Sequence, residues 1–336
     1  MKYLFIYFII FITTTINAGM VTGVLLNATQ DSSAVAGAPV YLQVLTNQTQ
    51  KPSTLAETIT NSSGQFRFTV SDINAEAVYV AATDYQGVRY FSAAENITNI
   101  AATDLSFVVY DSTHSTADVE AFMHHTIIND FGDVLQFRET RVLSNPTKKT
   151  ITQAFVEEHI GPALFQFHLP PDAQNFTPLS AGAEELLLHL HHVVDRGVFL
   201  PGNKTVSFAY ELPIAGQSVS VALKTTHAAK TFDIFVGSEN IVIDSQQLED
   251  KGTFDIRGTP YHRYGLANVN AATDIHFQVR RTGRAAEQSP APTIILTSAL
   301  LALALIYSLA RKEKITKKRT PRSAGTKAGK KSRKKK

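Results

Sequence analysis

Gln65-Phe66-Arg67-Phe68-Thr69-Val70 decides how this chain of 336 residues is read. Apolar and polar side chains alternate one for one. That is the two-residue period of a strand with one face in a core and the other in water. Asn61-Ser62-Ser63-Gly64, just before it, are turn formers. The same alternation recurs at Val40, Leu42 and Val44, at Val78 and Val80, and at Phe107 and Val109, with turn chemistry at Gly37-Ala38-Pro39 and Asp84-Tyr85-Gln86-Gly87. No window in this part carries the 3.6-residue stripe of an amphipathic helix. About seven short strands over residues 19–112 predict an antiparallel β-sandwich.

Working outward, residues 118–281 continue in the same idiom. Runs at Phe122–Ile128 and Val134–Val142 flank Asn129-Asp130-Phe131-Gly132-Asp133, which reads as a hairpin. Alternation returns at Val206, Phe208 and Tyr210, at Val219, Val221 and Leu223, and at Phe232, Ile234 and Val236. Ile241 with Ile243, and Ile275, Phe277 and Val279, complete the set. Pro170-Pro171, Pro201-Gly202 and Pro213 fall between runs, where a missing N–H breaks no ladder. The expectation is a second, larger sandwich of about ten strands. Two smaller sandwiches divided near Pro178 are the alternative.

Three segments of the first part resemble a known family. Val21-Thr22-Gly23-Val24, Val35-Ala36-Gly37-Ala38-Pro39-Val40-Tyr41-Leu42 and Thr60-Asn61-Ser62-Ser63-Gly64-Gln65-Phe66-Arg67-Phe68 look like the carboxypeptidase regulatory-like (transthyretin-like) module. Tyr79 and Tyr85 sit where that family places aromatics near a strand end. The resemblance covers about residues 20–112. It implies a β-sandwich that accompanies enzymes, receptors and adhesins without peptidase activity of its own. Leu200-Pro201-Gly202 and Val206–Pro213 are similar to the C-terminal portion of anchored bacterial envelope proteins that carry this module.

The two ends give an address. Met1–Ala18 has one Lys, an apolar run and then small and polar residues, the layout of a signal peptide, with cleavage expected after Ala18. An uncleaved anchor would leave the following domains on the same side. Residues 292–310 carry no charge and are long enough for a transmembrane helix, after a short linker at 282–291. Residues 311–336 hold fourteen Lys or Arg and one acid, Glu313, leaving 18 basic and 28 acidic residues for 1–310. Cations beside a span stay on the cytoplasmic face, so the chain reads as single-pass, with an acidic N-terminal part that is periplasmic or extracellular. The basic tail cannot bury apolar surface and is expected to be disordered; its plain role is to fix topology, with contact to anionic lipid headgroups as a compatible second role. Nucleic-acid binding is not expected, because no aromatics interleave the cations for base stacking.

Cysteine is absent, which removes disulfides, thiol catalysis and Cys-based metal sites. For an exported chain this favours a bacterial envelope. Asn27, Asn47, Asn61, Asn96, Asn175 and Asn203 begin Asn-x-Ser/Thr sequons, and ordinary turn and strand duty is their plain reading.

One stretch offers metal chemistry. In Leu188-His189-Leu190-His191-His192, a strand would project His189 and His191 on one face and His192 on the other. Two imidazoles can hold zinc or copper if further ligands arrive, with His124, His125, His168 and Glu185 the candidates. The plain reading is a solvated pair. Asp130, Asp133, Glu157 and Glu158 lack the spacing of a twelve-residue calcium loop and read as exposed turn residues. No Gly-x-Ser-x-Gly, His-Glu-x-x-His, phosphate-loop or dinucleotide-loop motif occurs. The sequence therefore predicts no catalysis and no cofactor. It predicts an anchored all-β protein that binds a protein or glycan. The rivals are a metal-binding protein or metal enzyme using His189 and His191, and a scaffold that assembles a membrane complex through Ala299, Leu300, Ala302, Leu303 and Ala304.

Overall fold

The computed structural model describes residues 18–46, 52–71, 74, 76–97, 103–180, 182–256 and 258–282. The predicted signal peptide up to residue 17, the linker beyond Thr282, the span and the tail lie outside the described residues. Among the described residues no helix is long and apolar enough to cross a membrane. The described residues are all-β; Ala183–Glu185, a single 3-10 turn, is the one helical element among them.

The N-terminal part is organised on the strand Ala18–Asn27. Gln65–Ser71 pairs with it antiparallel, opposing Val21 to Phe68 and Gly23 to Phe66. Thr103–Asp104 and Phe107–Val109 pair with it in parallel. A second sheet runs in the order Ser53–Ile59, Pro39–Leu45, Val78–Tyr85, Val88–Phe91. Val21, Leu25, Val40, Leu42, Phe66, Phe68, Tyr79 and Phe107 fill the space between the two sheets. Phe66 stands edge-on to Phe68 and Phe107, with centroids 5.9 and 6.1 Å away. That ring occupies space that only Gly23 leaves free, since a Cβ there would lie 2.3 Å from its tip. Gly64 has φ +72°, and a Cβ on it would meet the Leu25 carbonyl oxygen at 2.5 Å, so this turn requires glycine.

One strand has the opposite phase to the expected one. In Val78–Tyr85 the inward side chains are Tyr79 and Ala81, while Val78 and Val80 are half-buried. Val-Tyr-Val-Ala is apolar on both phases, so periodicity cannot choose. Tyr79 takes the core position because its hydroxyl accepts the Asn74 amide at 2.9 Å, which satisfies its polar end.

The C-terminal part is built on a seven-stranded sheet. Its order is Gln174–Pro178, Gly202–Pro213, Val134–Asn145, Glu120–Asp130, Ala229–Val236, Thr259–Val269, Glu249–Ile256. Strands from before and after Pro178 thus lie side by side in one sheet. Two three-stranded sheets enclose its inner face: Phe165–His168, His192–Asp195 and Leu186–His189; then Ser218–Lys224, Asp274–Arg281 and Ile241–Asp244. One continuous core joins all three through Ile128, Phe137, Phe167, Phe208, Phe232 and Phe277. Phe137 and Tyr210 stack at 5.3 Å within it. Ile127, Phe235, Ile256 and Tyr261 make a smaller cluster on the outer face.

The expectation of two antiparallel sandwiches is corrected in both parts, since Ala18–Asn27 already has parallel neighbours. Glu120–Asp130 and Ala229–Val236 run parallel at the centre of the large sheet, with His124 opposite Phe232. Nearly a hundred residues separate these strands, ample for the crossover that parallel pairing needs.

Polar contacts tie the two parts together. The Asp111 carbonyl accepts the Thr150 amide at 3.0 Å, while its carboxylate stays within the N-terminal part, where Oδ1 accepts from Asn27 Nδ2 at 2.7 Å and from the Tyr85 hydroxyl at 3.1 Å. Tyr90 and Thr150 hydroxyls meet at 2.7 Å, Thr29 Oγ1 donates to the Lys148 carbonyl, and Ser112–Thr113 pairs with Thr150–Ile151. Two sequon asparagines have structural work: Asn27 is buried and donates to Asp111 and the Tyr85 hydroxyl, and Asn61 Oδ1 accepts the Ser63 and Gln65 amides to close a turn.

Candidate functional site

Leu188–His192 is not one strand. Leu186–His189 and His192–Asp195 are two antiparallel strands joined by a tight turn at Leu190 and His191, with Leu190 at φ +53°. Reversal at this point separates His189 from His191, which lies exposed in the turn. The expectation of one strand with His189 and His191 on a common face is corrected, because a two-residue hairpin without Gly, Asn or Asp gives no turn signal in the sequence. His189 Nδ1 instead sits 3.1 Å from Glu157 Oε1, on the neighbouring hairpin Phe155–Glu157 and Gly161–Ala163. His192 stands directly opposite both His189 and His168. Glu185 is 3.8 Å from Lys204, and His124 and His125 belong to other clusters. Among the described residues no three His, Asp or Glu side chains are placed to hold a metal together.

A second group of titratable side chains lies inside the large core. His124, Glu139 and Arg141 alternate inward on adjacent strands and are at most 3% exposed. Glu139 Oε2 accepts from Arg141 Nη2 at 2.6 Å and from His124 Nε2 at 2.9 Å; Oε1 accepts from the Tyr210 hydroxyl at 2.9 Å. His124 Nε2 also lies 3.3 Å from the Arg141 Nε donor, so this one nitrogen faces both the carboxylate and the guanidinium. The Arg141 guanidinium also lies 4.5 Å from the Phe167 ring centroid and 5.6 Å from that of Phe208. Burial, reinforced by the Arg141 charge, depresses His124 to about 4. Burial pushes Glu139 up, but Arg141 and the bonds from His124 and Tyr210 outweigh it and hold the acid at about 2. The group is thus a carboxylate–guanidinium pair with a neutral imidazole. It is closed to solvent, so it serves the core and not a substrate. The His-His dipeptide and the alternation of Glu139 with Arg141 marked it in the sequence; their convergence with Tyr210 needed the register.

On the outer face, His125 Nε2 lies 3.2 Å and Arg263 Nε 2.8 Å from the Asp233 carboxylate. The Arg263 guanidinium also faces Phe235 and the exposed Phe254. Asp130, expected to be an exposed turn acid, is buried and forms a two-point pair with Arg281 at 2.7 and 2.9 Å. A polar groove crosses the sheet of Ser218–Lys224 and Asp274–Arg281, lined by Ser220, Asp244, Gln247, His276 and Gln278.

The most exposed large apolar side chains of the C-terminal part include Leu190 at 74%, Val156 at 67% and Leu188 at 44%. They belong to the two hairpins that the His189–Glu157 contact joins.

No protein-family profile matches the chain, and no curated protein matches it significantly. Among solved structures, it is similar to BcpA, the major pilin subunit of Bacillus cereus, at 11% identity over 79% of this chain and 88% of the pilin, with a TM-score of 0.18. The full-length major pilin SpaD of Corynebacterium diphtheriae gives 8% identity over 80% and 83% of the two chains, with a TM-score of 0.20. A 9R-lipoxygenase of Cyanothece PCC8801 matches at 14% identity over 30% of this chain and 17% of its own, with a TM-score of 0.22. Superpositions this loose carry no argument about function.

Proposed function

We propose that this chain is a single-pass, membrane-anchored envelope protein whose β-sandwiches lie outside the cytoplasm and bind a protein or glycan partner, without catalysis. One observation carries the binding site. Val156, Leu188 and Leu190 stand exposed on the two hairpins that the His189–Glu157 contact joins. Loops at the end of a sandwich are the usual place for contacts, and clustered exposed apolar side chains favour a partner. Leu190 is moreover held in a left-handed conformation that a branched side chain adopts at a cost. The exported, anchored topology rests on the sequence of residues 1–18 and 292–336, and kinship with the carboxypeptidase regulatory-like module rests on residues 20–112.

The test is capture of envelope components on the full-length chain in detergent, comparing the native protein with a Val156→Ser, Leu188→Ser, Leu190→Ser variant. A species retained by the native chain and lost by the variant supports the reading. Equal retention by both contradicts the site.

A further inference from the structure

Three histidines form a row across the sheet of Phe165–His168, His192–Asp195 and Leu186–His189. His192 is the central member, register-paired with His168 on one side and His189 on the other. Directly opposed residues project to the same face, so all three imidazoles share it. They differ in what they already touch. His189 is bonded to Glu157. His168 and His192 touch each other, with ring centroids 4.5 Å apart and planes at 75°. Neither ring has a hydrogen-bond partner among the described residues.

That spacing has a chemical meaning. A metal-bound imidazole nitrogen lies about 2.0 Å from the ion, so the ring centre lies roughly 3.2 Å away. Two such rings on one ion have centres about 4.5 Å apart when the nitrogen–metal–nitrogen angle is about 90°, whatever the angle between their planes; at a tetrahedral angle the distance grows to roughly 5.2 Å. We propose that His168 and His192 are a chelating pair for copper(II), bound at a right angle with water completing the tetragonal plane. Copper(II) prefers that geometry with nitrogen and oxygen donors, and it heads the divalent affinity order. Both side chains are half-buried, so the ion enters from solvent. Neither His189 nor His191 is a ligand in this arrangement.

The test uses the full-length chain in detergent, titrated with copper(II) sulfate and, separately, zinc chloride. The expected result is one copper(II) per chain, with paramagnetic resonance showing two equivalent imidazole nitrogens, and weaker binding of zinc. His168→Ala and His192→Ala each weaken copper binding by about tenfold or more, as loss of even an outer-shell partner does. His189→Ala and His191→Ala leave it unchanged. Failure to retain copper, tighter binding of zinc, or equal loss in His191→Ala overturns the proposal. If the alanine variants do not fold, the native protein decides alone: a spectrum with fewer than two imidazole nitrogens refutes the pair.

Discussion

Arg141 Nη2 lies 2.6 Å from Glu139 Oε2, and both side chains are sealed in the core of the larger sandwich. Removing a charge from water costs several kcal/mol, and this pair offsets it only while both partners remain. Glu139→Gln leaves the guanidinium buried without a counter-charge, and a loss of about 3–5 kcal/mol is expected. Chemical denaturation measures it. A loss below about 1 kcal/mol would show that Phe167 and Phe208 alone hold the cation.

The same cluster makes stability fall in acid. The His124 imidazole is neutral in the native fold down to about 4, against an ordinary value of 6.5. Between those values the unfolded chain binds a proton that the fold refuses, so stability is complete above 6.5 and declines as pH drops towards 4. Glu139 follows: its contribution is present above its ordinary 4.5 and is lost as pH falls towards 2. The urea midpoint should decline steadily below pH 6.5. Histidine ring resonances tracked through the same range should show His124 among the last to titrate. An imidazole at this position that gains its proton near pH 6.5 would refute the closed-core description.

Gly23 faces the tip of the Phe66 ring too closely to accept a methyl group. Gly23→Ala should destabilise the N-terminal sandwich by about 1–3 kcal/mol, the usual effect of overpacking. Adding Phe66→Leu should recover part of that loss, because the shorter side chain vacates the position. Thermal unfolding of the single and double variants gives both values.

Asp111 gathers Asn27, Gln30, Tyr85 and Gln86 within the N-terminal sandwich. The Asn27 bond, first among several, keeps its carboxyl below the ordinary carboxylate range. Asp111→Ala deprives the buried Asn27 amide of its best acceptor and should cost about 1–3 kcal/mol. Calorimetry measures the loss, and an unfolding temperature equal to that of the native chain would contradict it.

Much of this was legible in the sequence. Phe66, Phe68 and Val70, then Val206, Phe208 and Tyr210, then Ile275, Phe277 and Val279 all point inward as their alternation requires. The hairpin around Asn129–Asp133 also lies where its turn residues place it. The misses have physical causes. Val78–Ala81 is apolar in both phases, so only the hydrogen bond of Tyr79 selects one. The turn at Leu190 uses a left-handed leucine, which turn chemistry never favours. Once the chain reverses there, His191 moves to the tip, and His192 gains His168 and His189 as neighbours. Parallel pairing of Glu120–Asp130 with Ala229–Val236 is a long-range fact that no local pattern encodes.

The most direct measurement concerns sidedness, on which the proposed function stands. Intact cells, or spheroplasts where an outer layer blocks access, are treated with protease and the fragments identified by mass. The account predicts digestion of residues 19–281 and protection of a short piece that includes 311–336. Survival of the sandwiches with loss of the C-terminal segment would contradict it.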